Sequence, residues 1–429
     1  MKLVILLIVV LGWVVLPRSK LAQSPMLLRR FNNPTTEGGD FFGGGIAALV
    51  AFSLTLRRSR AYESRYMICG RAAGLRSVSS AWDKADMRWR RCVSRGLGCL
   101  AIAGVFSARV LFAQGCIPAH YVSLSLGAQG ISYLQPGQFE ADLFYRFLYS
   151  DVVFIGTEEQ PQLYDVGGRH SINSFDLNLS YALSHRLALS LTVPFMQDSF
   201  SNIHGDGQRH SGKSGGLSDL RLIGSTWVFK PDDHPNGNVN LGIGVKFPTG
   251  EYRATDDYFL ANGQTTLRPV DIAAQPGDGG FGLTLEFQGY QKLAGDLFGY
   301  LSGFYMMNPR NENGTERPSP TTTVVNSVPD QYLGRGGVSY VVWPSQGLSI
   351  SFGGRIDGIP ATDLWGDSDG FRRAGYAVYV EPGLNWSFGK NILSVSVPVA
   401  VRRNLERTQY NFAGGFADFL VVAGFSHQF

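Results

Sequence analysis

From residue 139 onward, apolar side chains recur at every second position in one segment after another. The first segment sets Phe139, Ala141, Leu143, Tyr145, Phe147 and Tyr149 in register, and the same spacing returns at 175–183 and 187–195. Neighbouring side chains on a strand point to opposite faces, so each run predicts a strand with one apolar face. The period recurs at 239–247, 281–287, 348–356, 376–388 and 393–401, more weakly at 220–228, and with ambiguous facing at 297–307 and 332–343. A last segment, 416–429, sets Phe419, Val421, Ala423, Phe425, His427 and Phe429 on one face. Its other face carries Asp418, Gly424, Ser426 and Gln428, with Leu420 and Val422 between them. That makes twelve segments of the length a tilted strand needs to cross a bilayer.

The connections alternate in length. Those at 150–170, 199–216, 249–279, 309–331, 359–371 and 404–415 are long, and those at 184–186, 231–236, 293–295, 344–346 and 388–391 are short. Long outer loops and short inner turns are the habit of membrane barrels, whereas soluble sandwiches and propellers have no cause to alternate so regularly. The predicted fold is all-β: a transmembrane antiparallel up-and-down β-barrel of about twelve strands over residues 137–429. The stretch 119–127 reads as part of a periplasmic lead-in, 114–136, because a thirteenth strand would break the parity.

On the face opposite the apolar one, these segments carry Glu140, Asp142, Arg146, Asp176, Asp219, Arg221, Lys246, Glu286, Arg335, Arg355, Asp357, Glu381 and Arg402. A lipid-facing charge costs up to roughly 2–4 kcal/mol at midplane, so all of these are read as lining the lumen. Two neighbouring pairs, Arg355 with Asp357 and Asp219 with Arg221, are expected to neutralise each other. Two roles remain open for the set: an ion-pair network that stiffens the wall, and a charge-balanced path for a small solute.

Charge and cysteine divide the chain. Residues 1–113 hold 17 Lys/Arg against 5 Asp/Glu, and residues 114–429 hold 21 against 29, so the net +4 describes neither part. A nucleic-acid partner is therefore not expected, since the basic part is not the part with strand periodicity. All four cysteines (Cys69, Cys92, Cys99, Cys116) lie at or before position 116, which excludes a disulfide framework or thiolate metal site in the strand region and suits export through an oxidising compartment. Met87 opens a signal-peptide pattern over 87–113: Arg88, Arg90, Arg91 and Arg95, then the apolar stretch Gly96–Phe106, then Leu111-Phe112-Ala113. Residues 1–86, with an apolar run at 3–16 too short to span, read as an upstream extension or a leader.

The closing strand with its terminal Phe429 resembles that of bacterial outer-membrane barrels, where the terminal Phe is read by the assembly machinery. Gly216-Leu217-Ser218-Asp219-Leu220-Arg221-Leu222, followed by Gly242-Ile243-Gly244-Val245-Lys246-Phe247-Pro248-Thr249-Gly250, resembles a motif pair of the outer-membrane transporter family associated with the meta-pathway of phenol degradation. Leu191-Thr192-Val193-Pro194-Phe195 adds to the likeness, which is clearest over about 170–250. It implies an outer-membrane barrel that admits small, including aromatic, compounds, with membrane lipid and such a solute as its partners.

Catalytic and cofactor chemistry finds little footing. His170-Ser171 and His210-Ser211 are adjacent on extended chain and so point to opposite faces, which keeps either pair from sharing a proton. His204, Asp206 and His210 lack a tetrahedral metal set, and no nucleotide motif follows a strand to open a helix. The expectation is a non-enzymatic outer-membrane channel without cofactor. The alternatives are a structural or adhesive barrel acting through its long loops and, further off, a lipid hydrolase.

Overall fold

Residues 133–318, 323–411 and 413–429 are described here, in a computed structural model. The expected extension, the signal peptide and most of the lead-in lie outside them. The twelve barrel strands are β1 Phe139–Ile155, β2 Arg169–Ala182, β3 Leu187–Ile203, β4 in two halves (Arg209–Leu217 and Arg221–Trp227), β5 Gly237–Lys246 and β6 Gly282–Ala294. They continue with β7 Leu297–Met307, β8 Gln331–Trp343, β9 Leu348–Ile359, β10 Gly375–Phe388, β11 in two halves (Asn391–Ser396 and Val399–Leu405) and β12 Gly414–Gln428. Each pairs antiparallel with its chain neighbour, and β1 pairs with β12 from Glu140 opposite Gln428 to Phe154 opposite Gly414. That last ladder closes the sheet, so the first and last strands leave no open edge to lipid where backbone groups would lack partners.

The alternation seen in the sequence becomes the outside and inside of the barrel. Ile243, Phe352 and Val401 are 58%, 60% and 61% exposed on the outer face, in a band with Leu143, Phe175 and Leu285. Phe139, Trp343, Trp386 and Phe388 gather at the end that holds the short turns, as an aromatic girdle.

Strands outrun the sequence estimate at the other end. A tilted crossing takes about 9–11 residues, yet β1 and β3 each have 17. The expected long connection at 199–216 is therefore mostly ladder: β3 pairs onward with the first half of β4, from Phe195 opposite Leu217 to Ile203 opposite Arg209. Two other long connections contain hairpins of their own, Thr255–Phe259 with Thr265–Pro269 and Glu312–Pro318 with Thr323–Ser327.

Two strands break inside the wall. β11 breaks at Val397-Pro398, where proline has no N–H for the ladder. β4 breaks at Ser218-Asp219-Leu220, and the second half of the quoted motif pair holds that break. The Leu220 N–H donates to Thr249 Oγ1 at 2.9 Å, Thr249 Oγ1 donates to the Ser218 carbonyl at 3.0 Å, and the Gly250 N–H donates to Asp219 Oδ1 at 2.9 Å.

Candidate functional site

Of the thirteen charges assigned to the lumen, Asp142, Arg146, Asp176, Arg221, Lys246, Arg335, Arg355, Asp357 and Glu381 are buried on the inner face. Glu140, Asp219 and Glu286 are partly buried there and bonded to lumen groups: Glu140 accepts from Gln428 Nε2 at 2.9 Å, and Glu286 lies 3.7 Å from Arg221. Arg402 is the exception. A bulge between the Val378–Arg402 and Tyr379–Ala400 pairs inserts one residue and reverses the facing beyond it. Arg402 is thereby exposed, and Arg403 turns inward to bond Asp418 at 2.5 Å and stack its guanidinium over the Phe154 ring.

The expected Arg355–Asp357 pair forms, with both side chains buried and Arg355 Nη2 and Nε at 2.7 and 3.0 Å from Asp357 Oδ2. The expected Asp219–Arg221 pair does not. Asp219 sits in the break of β4 and turns to Lys246 at 3.7 Å and to the N–H groups of Gly250 and Asp278, while Arg221 faces Glu286. Strand geometry sets residues two apart on one face, but the break at Ser218–Leu220 removes that geometry for Asp219. Arg335 reaches Glu381 at 3.3 Å, and Lys246 is bound to Asp278 as well.

The lumen is less polar than its charges suggest. Among the described residues, sixteen buried apolar side chains from eight strands, including Phe144, Leu148, Met196, Phe304, Leu333 and Leu420, pack into one cluster inside the barrel. The sequence carried the signal: Phe144, Leu148, Phe304, Leu420 and Val422 stand at inward parity. Toward the short-turn end the cluster borders a cavity of about 180 Å³, lined by Asp142, Asn178, Glu286, Ser302 and Arg335 together with Phe144, Phe304 and Leu333. Tyr133, from the end of the lead-in, reaches this cavity's rim, bonds the Tyr290 hydroxyl and packs edge-on against Trp227. Toward the long-loop end lies a smaller cavity of about 70 Å³, lined by Asp219, Arg221, Lys246, Gln275 and Asn313 with Phe304 and Met306.

Above the smaller cavity the long loops lock together. Asp271 of the β5–β6 loop accepts from Arg373 of the β9–β10 loop through both oxygens, and from Arg317 of the β7–β8 loop at 3.2 Å. Burial alone would raise the Asp271 carboxyl, but the guanidiniums of Arg373 and Arg317 outweigh it and hold the group well below the usual carboxylate range. Arg372 is bidentate to Asp363 at 2.7 Å for both bonds, and Asp330 accepts from the Asn308 and Leu364 N–H groups at 2.8 Å each. Sequence periodicity carried no sign of these contacts.

The histidines set aside in the sequence have structural partners. His170 is buried and bonded to Asp198. His204 and His210 pack as tilted rings with centres 4.7 Å apart, and His204 Nδ1 accepts the Phe259 N–H at 3.3 Å. Burial and the neighbouring His210 lower the pKa of His204. Among the described residues no group of three His, Cys, Asp or Glu could hold a metal ion.

No known protein-family model matches the chain, and no curated protein sequence matches it. Among solved structures it is similar to the COG4313 outer membrane channel from Pseudomonas putida F1, with a TM-score of 0.49, 14% identity, and cover of 71% of this chain and 100% of that one. It is similar to the CymD monoaromatic hydrocarbon channel (TM-score 0.39, 10% identity, 73% and 98% covered) and to the P. putida toluene transporter TodX (0.37, 10%, 74% and 99%). At such identities and scores these likenesses assign neither a family nor a solute.

Proposed function

We propose that this barrel is a bacterial outer-membrane channel giving passive passage to small uncharged solutes, single-ring aromatics among them. The observation that carries the reading is the cavity of about 180 Å³ with its mixed lining of Phe144, Phe304 and Leu333 beside Asp142, Asn178 and Arg335. An apolar protein cavity of roughly 150 Å³ takes up benzene. A phenol-sized molecule therefore fits here, its ring against the aromatic side chains and its hydroxyl among the polar ones. The motif pair around Asp219 and Thr249, with its resemblance to transporters of the phenol meta-pathway, supports phenolic compounds as the first solutes to try. The paired lumen charges support exclusion of ions, since Glu286 lining the larger cavity and Arg221 lining the smaller one already pair with each other.

The test is conductance and liposome swelling of the refolded 114–429 chain, with and without phenolic solutes. Neutral solutes should pass, and Arg355→Ala, which leaves Asp357 unpaired, should shift any conductance toward cations. A barrel that conducts nothing, passes no neutral solute and is unchanged by Arg355→Ala would sink the channel reading. One observation favours a second reading, a structural or adhesive barrel: the loops interlocked through Asp271, Arg373 and Arg317 form a fixed outer surface.

A further inference from the structure

Among the described residues, the two lumen cavities share one lining residue, Phe304. On β7 the successive inward positions are Ser302, Phe304 and Met306. Ser302 lines only the larger cavity, Met306 only the smaller, and Phe304 both. Inward positions on one strand are about 7 Å apart, close to the reach of one phenyl ring. The wall between the cavities is therefore one side chain thick at this point.

We infer that Phe304 is the gate of the lumen, and that rotation of its ring joins the two cavities into one path. This rests on the channel reading and names the residue that controls its passage and its size limit. The ring is buried, and its cross-strand partners are Glu286 on β6 and Leu333 on β8. On one side it meets the apolar cluster through Leu333, and on the other it borders the ion-paired Arg221–Glu286 group. A ring at such a boundary leaves apolar contacts behind when it turns, but separates no ion pair. That makes the movement far less costly than shifting any of the paired charges around it. A planar aromatic solute can also take the vacated place and keep the surrounding apolar contacts filled, whereas a hydrated ion cannot. The gate would favour small aromatic solutes on this ground.

Liposome swelling of the full-length mature barrel with small neutral solutes tests the assignment, with heat-modifiable migration as the check that each variant folds. Phe304→Ala should raise the swelling rate severalfold over wild type and admit larger solutes. Phe304→Leu, which keeps most of the volume and guards against a folding defect, should give an intermediate rise, and Phe304→Trp a fall. Leu285→Ala, on the outer face of β6 and lining neither cavity, should change nothing. Folded Phe304→Ala and Phe304→Leu variants that swell no faster than wild type overturn the gate, whatever the wild type does. The channel reading is judged separately on the wild-type rate.

Discussion

Arg373 grips the carboxylate of Asp271 through both terminal nitrogens, although the two residues lie 102 positions apart in different loops. With Arg317 added, one buried carboxylate ties three long loops over the end of the barrel. Replacing Asp271 by Ala leaves two buried guanidiniums without it, a change that typically costs about 3–5 kcal/mol. The twelve-strand wall should survive while the loops open. Limited proteolysis should then cut the variant within 249–281 or 308–330 at a protease level that spares the wild type. Equal resistance would show that the loops hold without this carboxylate.

His204 links the β3–β4 turn to the Thr255–Phe259 hairpin through an acceptor nitrogen. A proton on Nδ1 abolishes that bond with the Phe259 N–H. The groups acting on His204 are His210 and Arg268, which disfavour its charge, and Asp206 and Asp256, which favour it. Its folded pKa is lowered, so the unfolded chain takes up the proton first. The stabilisation is present above the ordinary histidine value and is lost as pH falls through the folded one. Amide exchange at Phe259 should accelerate as pH drops below the ordinary histidine range, once the intrinsic pH dependence is removed. The effect should vanish in His204→Ala, and a flat corrected profile in wild type would count against the link.

Gly277 and Gly250 pack backbone to backbone beside Asp219. A Cβ on Gly277 would sit 2.5 Å from the Gly250 carbonyl oxygen and 2.8 Å from Asp219 Oδ1. Neither backbone can retreat without breaking the bonds that hold the β4 break, so Gly277→Ala should destabilise by about 1–3 kcal/mol. Gly354→Ala, whose nearest contact is at 3.8 Å, is the matched control. Chemical unfolding in detergent checks the pair, and equal midpoints would refute the tight fit.

Phe429 is 62% exposed, and its backbone N–H donates to the Phe139 carbonyl at 2.9 Å. Truncating the side chain removes little burial, so Phe429→Ala should change the stability of the refolded barrel by no more than about 0.5 kcal/mol. Its level in the outer membrane should nevertheless fall if the assembly machinery reads this ring. A stability loss that matches the fall in level would point instead to a packing role.

Strand count and the identity of the lipid face were legible in the sequence because they depend on a local period of two, and closure because the even count and the alternating loop lengths pointed to it. Leu143 and Phe175 need no distant partner to be placed outward. A break or bulge defeats that local rule, as at Asp219, whose partners became Lys246 and Gly250, and at Arg402, which yielded its inward place to Arg403. The rest belonged to tertiary structure. Whether Phe144 and Phe304 meet inside the lumen depends on how strands on different sides of the barrel are staggered, and alternation along one strand carries no trace of that. Asp271 and Arg373 likewise lie in loops without periodicity, and only closure of the barrel brings those loops over one mouth. The sequence by itself determined which side chains face lipid and most of those that face inward, and only the closed barrel decided which inward ones meet.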